Sequence, residues 1–227
     1  MKLEISAYSH HGGKSKNQDY FAIFDDETIV EQAPFHQTIE TEKIAFALSD
    51  GISAFRNSHV ASQKCIQKLM KLGINNFTQW VKESNQEVIK LRSGCTLIAA
   101  KIVNDIFEFV NVGDSLLYYI RDGKIYQLAQ LHTLAYLKQL QNIDIIEESD
   151  YHTLIRYIGD PKNEFDGYSK KVRLQANDRI IICSDGLSDV MSEDEILNTN
   201  HSAIDYIRTV KKQTSDNVTV IVIDVIE

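Results

Sequence analysis

Apolar and polar residues alternate along two stretches of the chain and fall into helical spacing between and after them. Residues 3–8, 20–24 and 44–48 read as a first group of strands, and 95–103, 106–111, 116–121 and 124–128 as a second. Connectors in the second group are short: Asn104-Asp105, the region of Gly113, and Asp122-Gly123, the last a hairpin signal. Strands joined so tightly must be antiparallel, because a parallel return needs about a dozen residues or more, and a meander follows. Between the groups, 58–72 sets Val60, Ala61, Ile66, Leu69 and Met70 largely on one helical face, with Gly73 as a C-terminal stop. A second helix is predicted over 77–91. After the meander the pattern predicts helices at 134–141 and 151–158 and strands at 168–174 and 179–183. Helices at 193–198 and 202–213 and a last strand at 218–225 complete it. Adjacent helices beside antiparallel strands give α+β layering.

Composition adds bounds to this pattern. The 227 residues, 43% of them hydrophobic, suffice for one domain with a sizeable core, and the two prolines, Pro34 and Pro161, mark no linker, so residues 1–227 read as one catalytic unit. A net charge of −8 argues against nucleic-acid partners, which call for a basic patch. Cys65, Cys95 and Cys183 show no C-x-x-C spacing, and the last two sit in apolar runs as core thiols. The start MKLEISAYSHHGG is not a secretory signal, and no segment reaches about 18 consecutive apolar residues, so a cytoplasmic protein without a membrane partner is expected.

Chemistry enters at the punctuation of the strands. Asp19 precedes YFAIF, Asp50 follows KIAFALS, Asp114 follows FEFVNVG, Asp185 follows RIIICS, and Asp216 precedes NVTVIVIDV. Aspartate is a favoured turn residue, so each alone is a turn cap. Five in like contexts point to a site for hard divalent cations, which take carboxylates, a backbone carbonyl and water without His or Cys. His10 and His11 do not suggest a shared ion, since neighbours near a strand end point in opposite directions.

Taken in order, the fragments read N-Q-D (Asn17 to Asp19), S-D-G (Ser49 to Gly51), S-G-C-T (Ser93 to Thr96), V-G-D-S (Val112 to Ser115), C-S-D-G-L-S-D (Cys183 to Asp189) and S-D-N-V-T (Ser215 to Thr219). This series resembles the metal-dependent protein phosphatases, the type 2C serine/threonine enzymes, in a compact form similar to bacterial members. The resemblance implies a four-layer α-β-β-α sandwich of two packed antiparallel sheets. It implies two Mn²⁺ or Mg²⁺ ions with a possible third. Asp50 would bridge both ions, the Gly51 carbonyl would bind one, and Asp185 and Asp216 the other. Asp19 would act through metal-bound water, Asp114 would hold the third ion, and Gln18 and Asn217 would support the ligands. Two ions about 3.5 to 4 Å apart can acidify a shared water for in-line attack on phosphorus.

The chain departs from the family pattern in places. Lys14 stands where an arginine usually grips the substrate phosphate, keeping the charge without the bidentate fork. Ile52-Ser53-Ala54 replaces the usual glycines after the second motif and offers no histidine as a general acid, and Leu131-His132 replaces an Asp-His pair after the meander. The implied activity is hydrolysis of phosphoserine and phosphothreonine in phosphoproteins, opposed by a serine/threonine kinase, by direct attack of metal-bound hydroxide. A catalytically silent binding module of the same fold and a phosphatase for small phosphate esters are the alternatives.

Overall fold

The computed structural model describes residues 1–73, 76–162 and 169–227. Twelve strands and seven helices follow one another among them. The first part comprises β1 (Lys2–His10), β2 (Tyr20–Phe24), β3 (Ile29–Glu31), β4 (Phe35–Glu40), β5 (Lys43–Ser49), α1 (Ser58–Leu72) and α2 (Phe77–Lys90). Then come β6 (Leu97–Val103), β7 (Ile106–Val112), β8 (Leu116–Arg121), β9 (Lys124–Gln127), α3 (Leu134–Leu140) and α4 (Glu148–Tyr151). The chain finishes with β10 (Lys170–Arg173), β11 (Arg179–Cys183), α5 (Asp185–Ser188), α6 (Glu193–Leu197), α7 (Ala203–Val210) and β12 (Val218–Val225).

As the resemblance implies, the strands form two antiparallel six-stranded sheets, in the orders β4-β1-β12-β11-β8-β9 and β10-β7-β6-β5-β2-β3. Their inner faces meet through Leu3, Ile5, Phe46, Ile98, Phe109, Ile180 and Ile223. Strand β5 shows how sequence dictates the layers. Ile44, Phe46 and Leu48 project into the space between the sheets, while the small Ala45 and Ala47 face outward beneath Ala61, Ile66, Leu69 and Trp80 of α1 and α2. The other sheet is covered by Ile196, Ala203, Tyr206, Ile207 and Val210, packed on Ile181, Val220 and Val222. Central strands buried on both faces therefore read as continuous apolar runs.

Local signals set the boundaries. The Asp122-Gly123 hairpin has positive φ at both residues, 50° and 70°, the geometry a two-residue turn between twisted strands requires. Helix α1 stops at Gly73 (φ 65°), whose carbonyl accepts a 2.7 Å hydrogen bond from the Trp80 indole, tying α1 to α2.

Some expectations are corrected. Residues 152–158 are not helical: Thr133 bridges Leu154, Cys95 bridges Ile158, and the Ile155 N–H donates to the His132 carbonyl, so other loops satisfy the backbone of this Thr-, Ile- and Tyr-rich segment in an extended form. Helical structure there is confined to Glu148–Tyr151. Strand β6 begins at Leu97 because Cys95 is engaged by Gly51 and Ile158. Helix α7 ends at Val210, short of residue 213. The edge strands β3 and β4 were not anticipated: β3 is only three residues long, and β4 is mostly exposed and polar. Tyr168, the expected start of β10, lies outside the described residues.

Candidate metal centre

All five aspartates converge at one end of the sandwich. Asp50 leaves β5 and Asp185 leaves β11, on strands of opposite sheets, and a cleft of about 280 Å³ between them is lined by Asp50, Gly51, Asp114, Asp185 and Asp216, with Lys14 at its side. Asp19 lies beneath it, 2% exposed.

The two S-D-G triplets have the same construction. In each, serine donates inward: Ser49 Oγ to the Thr96 carbonyl at 2.6 Å, Ser184 Oγ to Asp19 Oδ2 at 2.8 Å. The aspartate is then presented to the cleft. Each glycine admits a neighbouring loop, since a Cβ on Gly51 would lie 2.6 Å from the Ser58 carbonyl oxygen and one on Gly186 1.9 Å from that of Asn217. Any other residue would push the aspartate loops apart.

Around them runs a frame of hydroxyl and amide groups. The Asp50 N–H donates to Thr96 Oγ1 at 2.9 Å, and that hydroxyl pairs with Ser115 Oγ at 2.7 Å. Thr219 Oγ1 donates to Asp19 Oδ2 at 2.7 Å. Asn217 donates its N–H to Asp216 Oδ1 at 2.7 Å, accepts from the Gln18 N–H at 2.8 Å, and donates its side-chain amide to the carbonyls of His11 and Lys16. Gln18 also receives the Gly51 N–H on its carbonyl at 3.2 Å. Asn217 and Gln18 thus touch the aspartate loops through the backbone.

What the frame leaves unsatisfied is informative. Asp19 Oδ1 and Asp185 Oδ1 are buried and have no hydrogen-bond partner. Burial, followed by the charges of Asp19, Asp185 and Asp114, drives the Asp50 carboxyl well above the usual range. Burial also raises Asp185, where Asp114, Asp189, Asp216 and Asp19 add to the effect. Asp19 and Asp114 are each pushed up to about 6, again mainly by burial. Lys14 is the cation lining this cleft, with its Nζ 3.2 Å from Asp216 Oδ2 and donating to Ser53 Oγ at 3.3 Å. One ammonium cannot balance five carboxylates. Such an oxygen-only donor set, partly orphaned and mutually repelling, fits hard divalent cations.

Two further residues were missed. His152 and Asp189 offer ligand atoms that lie, with one from Asp185, within 4.8 Å of one another. Asp189 could have been found, because it stands four residues after Asp185 and shares its helical face. His152 arrives on the extended segment read as helix, and nothing near it in sequence signals the site. His10 and His11 are corrected as well: their rings stack at 4.5 Å instead of diverging, because the chain turns at the end of β1, and each Nδ1 is engaged by a neighbouring backbone group. Cys95 and Cys183 are free and buried, as expected of core thiols, and so is Cys65.

Comparison with known proteins agrees with this geometry. Two family models described as protein phosphatase 2C match residues 2–138 and 78–219. The serine/threonine phosphatase stp of Listeria welshimeri is 26% identical over 174 residues, covering 66% of this chain and 68% of that protein. Among solved structures, Stp1 of Staphylococcus aureus superposes with a TM-score of 0.81 at 21% identity, over 99% of this chain and 96% of the other. The catalytic domain of the serine/threonine phosphatase PstP, in complex with two manganese ions, gives 0.74 at 24% identity, over 100% and 99%. These likenesses carry the fold, the matched family models span most of the chain, and the chain belongs to the protein phosphatase 2C family.

Proposed function

We propose that this protein is a metal-dependent phosphatase that hydrolyses phosphoserine and phosphothreonine in proteins, with residues 1–227 acting as one catalytic domain. The observation that carries the reading is the pair of buried, unpartnered oxygens on Asp19 and Asp185 beside the charge-strained Asp50. We assign Asp50, Asp185, Asp216 and the Gly51 carbonyl as ligands of two Mn²⁺ or Mg²⁺ ions, Asp19 as a partner of their water, and Asp114 as a ligand of a third ion. Bound there, the ions would supply a water acidic enough to attack at neutral pH and positive charge against the phosphoryl oxygens.

The chain's own groups do the rest. Thr96 and Ser115 fix the Asp50 loop, and Ser184 and Thr219 hold Asp19 by one oxygen and leave the other without a partner. Lys14, on the cleft wall, can draw in the substrate phosphate as a point charge. Ile52 brings no proton to the leaving oxygen. The substrate implies an opposing serine/threonine kinase. Among the described residues no helix is long and apolar enough to cross a membrane, and with the acidic charge this favours a cytoplasmic enzyme without nucleic-acid or membrane partners. The silent-module alternative loses its basis, because every carboxylate of the proposed donor set is in place.

The deciding experiment measures phosphate release from a phosphothreonine peptide and from an aryl phosphate in parallel, with Mn²⁺, Mg²⁺ or chelator. Metal-dependent turnover favouring the peptide is expected. Turnover of the aryl ester alone would move the assignment to small phosphate esters, and inactivity towards a broad peptide panel at millimolar Mn²⁺ would overturn it.

A further inference from the structure

The segment that carries His152 towards the aspartates serves a second cavity as well. His152 and Leu154 line the acidic cleft, whereas Ile155 and Arg156 line a second cavity, of about 430 Å³, together with His132, Tyr136, Leu140 and Lys170. In a chain of net charge −8, this lining holds two permanent cations and, among the described residues, no carboxylate. Arg156 is half-buried and, among the described residues, makes no hydrogen bond or ion pair. Lys170 and His132 also present donors. Lys170 gives one hydrogen to the Leu128 carbonyl at 2.9 Å and keeps two. The His132 Nδ1 accepts from the Gly113 N–H at 3.1 Å, which places the ring hydrogen on Nε2.

We propose that this cavity is a subsite for an anionic side chain of the substrate, a carboxylate or a second phosphate lying a few residues from the phosphoamino acid. The inference rests on the phosphatase reading above. A half-buried guanidinium that, among the described residues, has no partner is available to an anion, and its planar fork suits carboxylate and phosphate oxygens alike. The apolar flank of Tyr136, Leu140 and Ile155 lowers the local dielectric and strengthens such a pair. Geometry makes the two sites reachable by one ligand. Leu154 on the first cavity and Arg156 on the second are two residues apart, at most about 7 Å of extended chain. A short stretch of substrate can therefore occupy both.

The test is a set of phosphothreonine peptides in which a single glutamate, glutamine, lysine or phosphoserine is moved through the flanking positions. For the wild-type protein, glutamate in place of glutamine at one or two positions should raise kcat/KM by about three- to tenfold, the range of a partly screened ion pair. Phosphoserine there should do at least as well if the natural anion is a phosphate, and no better than glutamate if it is a carboxylate. Arg156→Ala should flatten the profile, Arg156→Glu should turn it towards lysine, and turnover of an aryl phosphate should stay unchanged in both. A flat profile in the wild type, or a preference that survives Arg156→Ala, would overturn the subsite while leaving the phosphatase standing. Failure of the wild-type protein on peptides and aryl phosphate together would instead remove the reading beneath it.

Discussion

Strand β11 has a buried aspartate next to one end and another carboxylate at the other, and the two are treated in opposite ways. Asp178, 1% exposed, accepts hydrogen bonds from Arg121 Nε at 2.7 Å and Nη2 at 2.5 Å, from the Tyr119 hydroxyl at 3.0 Å and from the Gln175 N–H at 2.8 Å. Asp185, seven residues later, keeps a buried Oδ1 with no hydrogen-bond partner and is surrounded by the like charges of Asp114, Asp189, Asp216 and Asp19. Both ends pay the desolvation of a carboxylate, but only the Asp178 end is repaid inside the chain. A carboxylate that the fold leaves unpaired is reserved for something the fold does not contain.

The sharpest way to break this contrast is to remove ligands. Asp185→Ala and Asp216→Ala should each lower turnover by about a thousandfold, roughly 4 kcal/mol, and the double variant should lose little more, since residues acting as one unit are not additive. Their metal-free melting temperatures should hold or rise as repulsion is relieved, and the rise in melting temperature on adding Mn²⁺ should shrink. Near-additive losses, or an intact Mn²⁺ response, would separate these residues from a common site.

The opposite end should answer with stability instead. Asp178→Ala strands the Tyr119 hydroxyl and the Gln175 N–H and leaves Arg121 unpaired; with Arg121 able to reach water, a cost of about 3 to 4 kcal/mol is expected, read from denaturant unfolding. Turnover of whatever stays folded should be close to normal. A variant as stable as the wild type would mean that the pairing of Asp178 is not what holds that end together.

The difference also explains what could be read from the sequence. The aspartates of the cleft were legible because each interrupts an apolar run, and the two S-D-G triplets repeat one solution on two sheets. Asp178 looks the same in sequence, a turn residue after Asn177, and only its contact with Arg121, 57 positions away, gives it another role. Central strands such as β5 were legible from their apolar density, whereas β3, three residues long, and β4, mostly exposed and polar, were not. The hydroxyls of Ser184 and Thr219 are silent in sequence, because a threonine in a strand is unremarkable until its oxygen meets Asp19. His152 was hidden for another reason: its segment is held extended by Thr133 and Cys95, contacts that no local pattern announces.

Acidity gives a third handle. Asp19 and Asp114 are raised from 3.8 to about 6, so the metal-free native state holds protons that the unfolded chain has released between those values. Stability from these groups is complete below about pH 4 and is lost as pH climbs through about 6, by roughly 3 kcal/mol for a group shifted by about two units. In chelator the melting temperature should therefore fall from pH 5 to 7, and saturating Mn²⁺ should abolish or reverse the slope. A metal-free protein equally stable at both values would show that the carboxylates are relieved by some other means.

The smallest effect concerns Lys14, which stands between the two kinds of end. Without cations its ammonium pairs with Asp216 at 3.2 Å, a partial repayment of the same sort that Arg121 makes in full. About a third of each side chain is exposed, so the pair is worth on the order of 1 kcal/mol or less. Its loss should nevertheless move two quantities in opposite directions. Lys14→Ala frees Asp216 and should tighten Mn²⁺ binding by a few fold, while removing a phosphate contact should raise KM by about threefold to tenfold with kcat little changed. Lys14→Arg should recover or improve KM, because a guanidinium meets a phosphate through two parallel hydrogen bonds. Calorimetric titration of Mn²⁺ beside peptide kinetics reads both. If neither quantity moves in either variant, Lys14 is a solvated loop residue, and the charge balance of the cleft is set by its aspartates and their cations alone.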